Sequence, residues 1–439
     1  MTPWEKFKHD WHGKKVTIMG LGLQGGGEAV ARTFAEVGSH VTVTDLKKLP
    51  ALKQVAARLK EHSISYHLGG HRETDFTASD LIIRNPAVPS SSTFLRLAAA
   101  HHVPIKMETA LFATYFRGLI IGVTGTRGKS TTAHLIAHIL QAAKKPTILA
   151  GNVPKNAALP HLKHATPDHL VVLELSSWQL QGFAKEKISP HIAVITNIYP
   201  DHLNRYRSMS DYASDKEIIT RFQTAKDILI LNRENKRSRT FATGTKAQVD
   251  WFAESDLGSQ KLVLKGGHNR ANAAAALKVT QALGLDKAKT LKSLSSFKGL
   301  PGRLEVIAVK NGITIINDTT STTPIATRKA LEVVSPPITL VVGGQTKNLP
   351  LKKLAATINN QVSHIVLLEG SGTTELQPLL DPQKIVGPFK DQAAAIKKSL
   401  SITPKGGTLL FSPAFTSFDM FANEFERGDA FNSTVSHLT

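Results

Sequence analysis

A glycine-rich stretch at residues 122–132, Gly-Val-Thr-Gly-Thr-Arg-Gly-Lys-Ser-Thr-Thr, carries the residue types that bind phosphate groups. An apolar, strand-like run leads into it, and a helical pattern over residues 130–143 follows it. Backbone N–H groups in such a turn point inward toward phosphate oxygens, and the helix N-terminus attracts negative charge. Lys129 can reach the β- and γ-phosphates of a nucleotide, and the Ser130 hydroxyl can bind Mg²⁺. Val123 replaces the first glycine of the strict Walker motif, so the stretch predicts ATP binding through a variant of that loop.

A second glycine cluster occupies residues 20–27, directly after a strand-like run at residues 15–19. The next strand-like run ends at Asp45, which gives the spacing of a dinucleotide-binding fingerprint. Such a fingerprint fits NAD or a nucleotide diphosphate such as UDP, and a tight turn without a ligand uses the same glycines. The cluster by itself therefore leaves the ligand of the N-terminal region open.

The composition excludes several classes of protein. With 439 residues, of which 41% are hydrophobic, the chain is long enough for two to four globular domains. It has no cysteine, which rules out disulfides, thiolate metal sites and a cysteine nucleophile. Residues 1–15 lack the apolar core of a signal peptide, and the apolar runs are far shorter than a membrane span. We therefore expect a cytoplasmic protein without a membrane partner.

Basic residues outnumber acidic ones, 54 to 34, which gives a formal net charge of +20. Nucleic-acid binding is one interpretation of this excess, and polyanionic substrates are another. The basic residues are dispersed except at residues 236–239, and aromatic residues are not interleaved with them. We expect no nucleic-acid partner, and a nucleic-acid-stimulated P-loop ATPase is kept as the alternative of a different class.

Strand-like and helical patterns alternate along the chain in three blocks. Repeated β-then-α order predicts parallel, doubly wound sheets. The predicted fold class is therefore α/β with three domains: an N-terminal Rossmann-like domain, a central P-loop mononucleotide-binding domain and a C-terminal Rossmann-like domain. The predicted boundaries are residues 1–108, 109–299 and 300–439.

Several motifs together resemble those of the Mur ligases, the ATP-dependent amino-acid ligases of peptidoglycan precursor synthesis. The phosphate-loop stretch at residues 124–132 is the first of them, and others follow in the family's order over essentially the whole chain. They are residues 151–154, residues 174–180, Thr196-Asn197 with residues 201–203, Lys216, His268-Asn269 with Asn272, residues 301–305, Asn317-Asp318, residues 412–414 and residues 425–428.

The resemblance implies a ligase that joins glutamate to UDP-N-acetylmuramoyl-L-alanine with ATP as the energy source. The substrate carboxylate would attack the γ-phosphate of ATP to form an acyl phosphate, a step that needs charge neutralisation and alignment. We expect D-glutamate as the amino acid, with L-glutamate as the alternative. The cofactors would be ATP and Mg²⁺, as two ions. The enzyme would be a monomer that serves cell-wall biogenesis, cell shape, the cell cycle and cell division.

By the same resemblance, the first domain would bind the UDP substrate, the second ATP and the third the amino acid. The catalytic residues would be Lys129, Glu174, His202 and Lys216. The metal ligands would be Ser130, Glu174, His202 and Lys216, the last as a carbamate, because a bare ammonium repels a cation. ATP would be bound by Gly125, Thr126, Gly128, Lys129, Ser130, Thr131, Asn272, Arg303 and Asp318. The UDP substrate would be bound by Leu23, Gln24, Asp45, Asn85 and Asn152. Glutamate would be bound by Thr322, Lys347 and Ser417.

The amino-acid end departs from the usual pattern of the family. Residues 318–324 read Asp-Thr-Thr-Ser-Thr-Thr-Pro, in which Thr320 replaces a lysine that many members carry. Glu424 stands where an aromatic residue is usual. A buried carboxylate beside a dicarboxylic substrate is unfavourable, so we expect Glu424 to turn outward. These differences are the reason why L-glutamate is kept as an alternative.

Overall fold

The computed structural model describes residues 1–23, 25–154, 156–201, 206–264, 266–417, 420–421 and 423–438. The chain forms two compact units, Met1–Phe297 and Lys298–Thr439. Three separate sheets, two in the first unit and one in the second, make a three-domain α/β architecture. This confirms the predicted fold class. The boundaries at residues 108/109 and 299/300 stay predictions.

The first sheet has five parallel strands in the order β3-β2-β1-β4-β5. The strands are β1 (Lys15–Met19), β2 (His40–Asp45), β3 (Ile64–Leu68), β4 (Leu81–Arg84) and β5 (Ile105–Lys106). The helices are α1 (Pro3–Trp11), α2 (Gly26–Glu36), α3 (Leu49–Ala57), α4 (Thr74–Thr77) and α5 (Thr93–Ala100). The strand order reverses between β1 and β4, and a crevice at such a switch point is where open α/β sheets bind ligands. The glycine cluster follows β1 at this point.

The second sheet has six parallel strands in the order β11-β10-β9-β6-β8-β7. The strands are β6 (Ile120–Thr124), β7 (Thr147–Gly151), β8 (Leu170–Glu174), β9 (Ile192–Ile195), β10 (Ile228–Asn232) and β11 (Gln248–Phe252). The helices are α6 (Glu108–Tyr115), α7 (Lys129–Ala142), α8 (Ser177–Glu186), α9 (Met209–Arg221), α10 (Lys236–Arg239), α11 (Gly267–Ala282) and α12 (Lys287–Ser296). Because β6 lies between β8 and β9, the loops that leave these three strands meet at one edge of the sheet.

The third sheet has six strands in the order β12-β13-β17-β14-β15-β16. The strands are β12 (Glu305–Lys310), β13 (Ile313–Asn317), β14 (Ile338–Gly343), β15 (His364–Leu368), β16 (Ile385–Phe389) and β17 (Thr408–Phe411). The helices are α13 (Pro324–Leu331), α14 (Lys352–Gln361), α15 (Ser371–Leu376), α16 (Gln392–Ile402) and α17 (Glu424–Leu438). Only β12 is antiparallel among these strands. It joins β13 through Asn311 and Gly312, both at positive φ, as a tight hairpin turn requires.

The apolar core explains why two domains share the first unit. One cluster of buried side chains includes Val43 on β2, Phe112 on α6 and Leu173 on β8, and so runs continuously through both domains. The third domain has its own buried clusters, one around Leu340 and one around Phe411. Within the described residues, none of the helices combines the length and the apolar character that a bilayer crossing requires.

Candidate active site

The predicted phosphate loop connects β6 to α7, and its backbone is tied to the end of β9. The Thr126 N–H donates to the Asn197 carbonyl at 2.8 Å, and the Arg127 N–H donates to the Asn197 side-chain oxygen at 2.9 Å. Gly128 has a φ of +83° and caps the N-terminus of α7. A Cβ atom at Gly128 would overlap the side-chain amide of Asn272. The loop therefore needs glycine here both for its backbone conformation and for the close approach of α11.

Lys129 and its neighbours stand at the mouth of this loop. The Lys129 ammonium donates to the Thr126 carbonyl at 3.1 Å, so the side chain folds back over the loop. Ser130 and Thr131 follow in the first turn of α7, where unpaired N–H groups and the helix dipole favour an anion. Asn272, predicted to bind ATP, is buried against Gly128.

Glu174 ends β8 directly beside the strand that feeds the loop, because its register partner on β6 is Val123. The side chain is 2% exposed, and its Oε1 accepts a hydrogen bond from the Asn152 amide at 2.9 Å. The Asn152 N–H donates to the Glu174 carbonyl at 2.8 Å, so the two predicted residues are locked together. The other carboxylate oxygen, Oε2, is buried and has no hydrogen-bond partner among the described residues. Buried polar atoms are normally paired, so this oxygen suits a cation.

Lys216 lies on α9 and is 2% exposed. Taken alone, a lysine in this polar stretch of sequence would be a solvated helix residue, and the structure instead buries it. Burial and the nearby Lys129 ammonium hold the pKa of Lys216 well below its usual value, against the carboxylates of Asp201, Asp215 and Glu174. These charges can influence Lys216 because loop, strand and helix converge at one edge of the central sheet.

The described part of the predicted metal set fits a hard cation only in part. The Ser130 hydroxyl and the unpaired oxygen of Glu174 are suitable donors, and Lys216 becomes one only as a carbamate. His202 lies outside the described residues, as does Gln24 in the first domain. Over the described ranges, there is no group of three or more histidine, aspartate or glutamate side chains arranged to hold a metal ion.

Asp45, predicted to bind the UDP substrate, organises the glycine cluster. Its Oδ2 accepts from the N–H groups of Leu21 at 2.9 Å and Gly22 at 3.3 Å, and its Oδ1 accepts from the Lys47 N–H at 2.9 Å. An ionised carboxylate has about four acceptor positions, so Asp45 can hold the turn and still accept a hydrogen bond from a ligand. In the described contacts, both Asp45 oxygens are used to shape the turn.

Asn85 holds the same turn from the other side of the switch point. Its Nδ2 donates to the Gly20 carbonyl at 3.1 Å, and its Oδ1 accepts from the Ala87 N–H at 3.0 Å. Leu23 lies next to this turn and is partly buried. The structure therefore gathers Leu23, Asp45 and Asn85 at one crevice, whereas Asn152 lies beside Glu174 in the central domain.

A polar chain of side chains that the sequence analysis missed links the first two domains. Arg84 ends β4, is 4% exposed and donates to the Gln181 side-chain oxygen at 2.9 Å. The Gln181 amide donates to Asp215 at 2.7 Å, and the Tyr206 hydroxyl donates to the same carboxylate at 2.9 Å. This series of hydrogen bonds runs from Arg84, which precedes Asn85, to Asp215, which precedes Lys216. The only signal in the sequence is an arginine that closes an otherwise apolar strand.

In the second unit, Asp318 is buried and used structurally. Its Oδ1 accepts from the Leu304 N–H at 3.1 Å, and its Oδ2 accepts from the Ser412 hydroxyl at 2.7 Å. Burial raises its pKa, against the hydrogen bonds and the charge of Arg303. Arg303 itself is exposed. Their predicted roles in ATP binding stay predictions.

The predicted glutamate-binding residues gather at one end of the third sheet. The Lys347 ammonium donates to the Thr322 hydroxyl at 3.1 Å. Gln345 and Thr416 form an isolated antiparallel bridge. Lys347 follows Gln345 by two residues and Ser417 follows Thr416 directly, so the bridge brings the two segments together. The Ser417 hydroxyl is buried and has no hydrogen-bond partner among the described residues. A cation and an unpaired hydroxyl suit a carboxylate ligand.

The expectation that Glu424 turns outward is wrong. The side chain is partly buried, and its negative charge acts on two cations: burial lowers the pKa of Lys347 and of Arg427, and Glu424 opposes both shifts. Arg427, which the sequence analysis passed over, is 2% exposed. It follows Glu424 by three residues on α17, so both side chains face the same side of the helix. The positive charges of Arg427 and Lys347 offset part of the cost of burying the Glu424 carboxylate.

The sequence patterns of three family domains match the chain in order. The "Mur ligase MurD-like, N-terminal domain" matches residues 14–106, the "Mur ligase middle domain" residues 123–280 and the "Mur ligase, glutamate ligase domain" residues 302–415. A relative from Roseiflexus sp. (strain RS-1), named UDP-N-acetylmuramoylalanine–D-glutamate ligase, is 36% identical over 97% of this chain and 99% of its own length. The chain belongs to the Mur ligase family. A Geobacter sp. (strain M21) relative with the same name is 33% identical over 96% of this chain and 97% of its own.

Solved structures of Mur ligases have the same fold. The UDP-N-acetylmuramate–alanine ligase MurC from Thermotoga maritima superposes with a TM-score of 0.61 at 20% identity, covering 97% of this chain and 100% of its own. MurF from Acinetobacter baumannii superposes with a TM-score of 0.58 at 20% identity, covering 83% and 92%. At this level of identity the likeness concerns the fold alone.

Proposed function

We propose that this Mur ligase joins D-glutamate to UDP-N-acetylmuramoyl-L-alanine, with conversion of ATP to ADP and phosphate. The observation that carries the proposal is the buried Glu174 carboxylate, with one unpaired oxygen, beside a phosphate loop and two lysines. Such a constellation suits a reaction on phosphate that needs charge neutralisation. The identity of the proposed substrates follows the names of the D-glutamate ligases from Roseiflexus and Geobacter, which are similar to this chain over nearly their full lengths.

In the proposed reaction, a carboxylate oxygen of the nucleotide substrate attacks the γ-phosphorus of ATP, and ADP leaves. The neutral glutamate amine then attacks the acyl carbon and the C–N bond forms. The bond between the acyl carbon and the phosphate oxygen breaks, phosphate leaves with the electron pair, and the nitrogen loses a proton to give the amide. Lys129 offsets negative charge on the β- and γ-phosphates, and the N–H groups of the loop orient them. Asn152 holds Glu174 in a fixed position through two hydrogen bonds.

Mg²⁺, when bound, would neutralise phosphate charge, and we assign its binding to Ser130, Glu174, His202 and the carbamate form of Lys216. The rest of the site is assigned to this chain's own groups. Leu23, Gln24, Asp45 and Asn85 would bind the UDP end of the substrate, and Thr322, Lys347 and Ser417 the amino acid. We assign residues 1–108 to the UDP substrate, residues 109–299 to ATP and residues 300–439 to the amino acid.

The proposed substrates also place the protein in the cell. UDP-linked precursors and ATP are cytoplasmic compounds, so we assign the enzyme to the cytoplasm. Because all the assigned groups lie in one chain, we assign it as a monomer, without nucleic-acid or membrane partners. Its product would feed cell-wall biogenesis and thereby cell shape and division during the cell cycle.

The decisive experiment offers the full chain ATP, Mg²⁺ and UDP-N-acetylmuramoyl-L-alanine with either D- or L-glutamate. We expect ADP release and an amide product of the corresponding mass with the D form. Preference for the L form would overturn the stereochemical assignment. ADP release that requires DNA or RNA, and does not respond to the UDP substrate, would overturn the ligase proposal as a whole.

Two lysine variants test the assigned roles. Lys129→Ala should abolish ADP release, whereas Lys289→Ala, an exposed lysine on α12, should not. Lys216→Ala should lose activity and regain part of it with added short carboxylic acids such as acetate, because these replace the carbamate oxygens. Full activity of the Lys216→Ala enzyme without acetate would exclude the carbamate.

A further inference from the structure

The amino-acid end of the second unit contains a buried arginine, Arg427, that forms no direct ion pair with any described residue. The Arg427 guanidinium donates to the Thr319 carbonyl at 2.9 Å, the Phe415 carbonyl at 3.2 Å and the Thr319 hydroxyl at 3.2 Å. All three partners are neutral oxygens, and no described carboxylate forms an ion pair with this side chain. A buried charge with neutral partners alone is costly and leaves a positive field in its surroundings.

The first turn of α17 fixes Glu424 close to this arginine. The Thr319 hydroxyl donates to the Glu424 carbonyl at 2.7 Å, so the helix is anchored where it begins. One turn further, Gly428 packs so tightly against Thr319 that a Cβ atom would overlap its side chain. Thr319 therefore holds both Glu424 and Arg427 in place. The backbone of Glu424 is therefore fixed beside Thr319, and its side chain is partly buried there.

Three charged residues meet on the loop at residues 319–322. The Arg427 guanidinium and the Glu424 carbonyl contact Thr319, and the Lys347 ammonium contacts Thr322. Burial lowers the pKa of Lys347; Glu424 raises it, and Arg427 lowers it. Burial likewise lowers the pKa of Arg427, to about 10, and Glu424 raises it. Two cations and one anion give the group a net charge of +1. Glutamate carries two carboxylates and one ammonium, and so has a net charge of −1.

We propose that Glu424 is a specificity-determining residue of the amino-acid site, a built-in carboxylate that competes with the acidic substrate for the cations Lys347 and Arg427. The inference rests on the proposed function and deepens it. Without Glu424 the site would carry two uncompensated positive charges and bind dicarboxylates more tightly. With Glu424 present, the charge of the site matches that of one glutamate, and a carboxylate of the substrate must share the cations.

The test replaces Glu424 and measures the KM for glutamate with ATP and the nucleotide substrate held at saturation. Glu424→Gln removes the charge at constant shape, and Glu424→Phe introduces the aromatic residue usual in the family. One charge acting across several ångströms of partly buried protein changes a binding constant by on the order of tenfold. We expect both variants to lower the KM for glutamate by about that factor, with the KM for ATP unchanged.

Two further variants separate charge from structure. Glu424→Asp keeps the charge and should keep the KM of the natural sequence, whereas a merely structural role would make Asp and Gln behave alike. Glu426→Gln is the matched control, since Glu426 is the other acidic residue in the first turn of α17. Added KCl should raise the KM of Glu424→Gln more steeply than that of the natural sequence, because the variant site carries more net charge.

The outcomes distinguish the two proposals. If the natural sequence forms no amide product with glutamate, the proposed function fails. If it does, and Glu424→Gln leaves the KM for glutamate unchanged or raises it, the inference about Glu424 is overturned while the function stands. Should Glu424→Gln fail to fold, an unchanged KM in Glu424→Phe overturns the inference equally.

Discussion

Gly128→Ala is the substitution that tests the geometry of the phosphate loop most directly. Gly128 has a left-handed φ of +83°, and a methyl group there would overlap the Asn272 amide. Asn272 is 6% exposed on α11, so it has little room to give way. The added methyl group must therefore shift either the loop or the helix.

The expected loss of stability follows from three contributions. An alanine in the left-handed region costs about 1–2 kcal/mol. Losing the flexibility of glycine in the unfolded chain returns about 0.4–1 kcal/mol. Displacing the buried Asn272 amide from its contacts costs about 1 kcal/mol more. The free energy of unfolding should thus fall by about 1–3 kcal/mol, which for a unit of this size lowers Tm by a few degrees.

Loop function should suffer more than stability, because the N–H groups of the loop lose their common orientation. We expect the affinity for ATP, measured by calorimetry, to fall by about tenfold or more. Gly284→Ala is the matched control: Gly284 has a φ of +72° in the same unit, and a Cβ there would meet nothing within 4 Å. It should show the backbone penalty alone and bind ATP normally. Gly128→Ala with Asn272→Ala should recover the steric part of the stability.

The reasoning is refuted if Gly128→Ala and Gly284→Ala lose the same stability and both retain ATP affinity. The same holds if removing the Asn272 side chain fails to relieve the Gly128→Ala variant. Either result would mean that the close contact between the loop and α11 does not determine the shape of the phosphate site.

Two other substitutions probe the first unit. Asp45→Asn keeps the size of the side chain but replaces one carboxylate oxygen, which accepts from a backbone N–H, with an NH₂ group that cannot accept. We expect the free energy of unfolding in urea to fall by about 2–3 kcal/mol and the KM for the UDP substrate to rise. An unchanged urea midpoint would contradict this. His161 has its pKa lowered to about 4 by burial and by the neighbouring imidazoles of His164 and His169. Because the unfolded state then binds more protons between pH 4 and its usual value of 6.5, stability should fall as the pH drops through that window, and His161→Gln should flatten the fall in Tm. Parallel Tm curves for the two proteins would exclude this contribution.

The phosphate loop could be predicted from sequence because its determinants are local. An apolar strand, glycines at fixed positions and a lysine at the helix start lie within about a dozen consecutive residues, and β6 and α7 follow the prediction closely. Several strands are not evident from the sequence, among them β3 and β5. The first alternates polar and apolar residues with little full burial, and the second has only two residues. Short or half-exposed strands take their structure from their neighbours in the sheet.

The charged residues of the site were harder to predict, because their burial depends on tertiary contacts. The segment around Lys216 has the composition of a solvated helix, yet the side chain is 2% exposed. Arg84 and Arg427 are also buried, each by partners distant in the chain. Glu424 was placed wrongly for the same reason: the cost of burying a carboxylate was clear from the sequence, and the two cations that offset it were not.

The position of β6 between β8 and β9 has a consequence for the order of folding. The loop after β6 is held by groups that arrive much later in the chain: the Thr196 hydroxyl donates to the Arg127 carbonyl across a separation of 69 residues. Closing so long a segment is entropically unfavourable until β8 and β9 pair with β6 and compensate for the lost entropy. A growing chain therefore acquires its nucleotide site only after β9 has docked. ATP binding during refolding will consequently report completion of the central sheet rather than its nucleation.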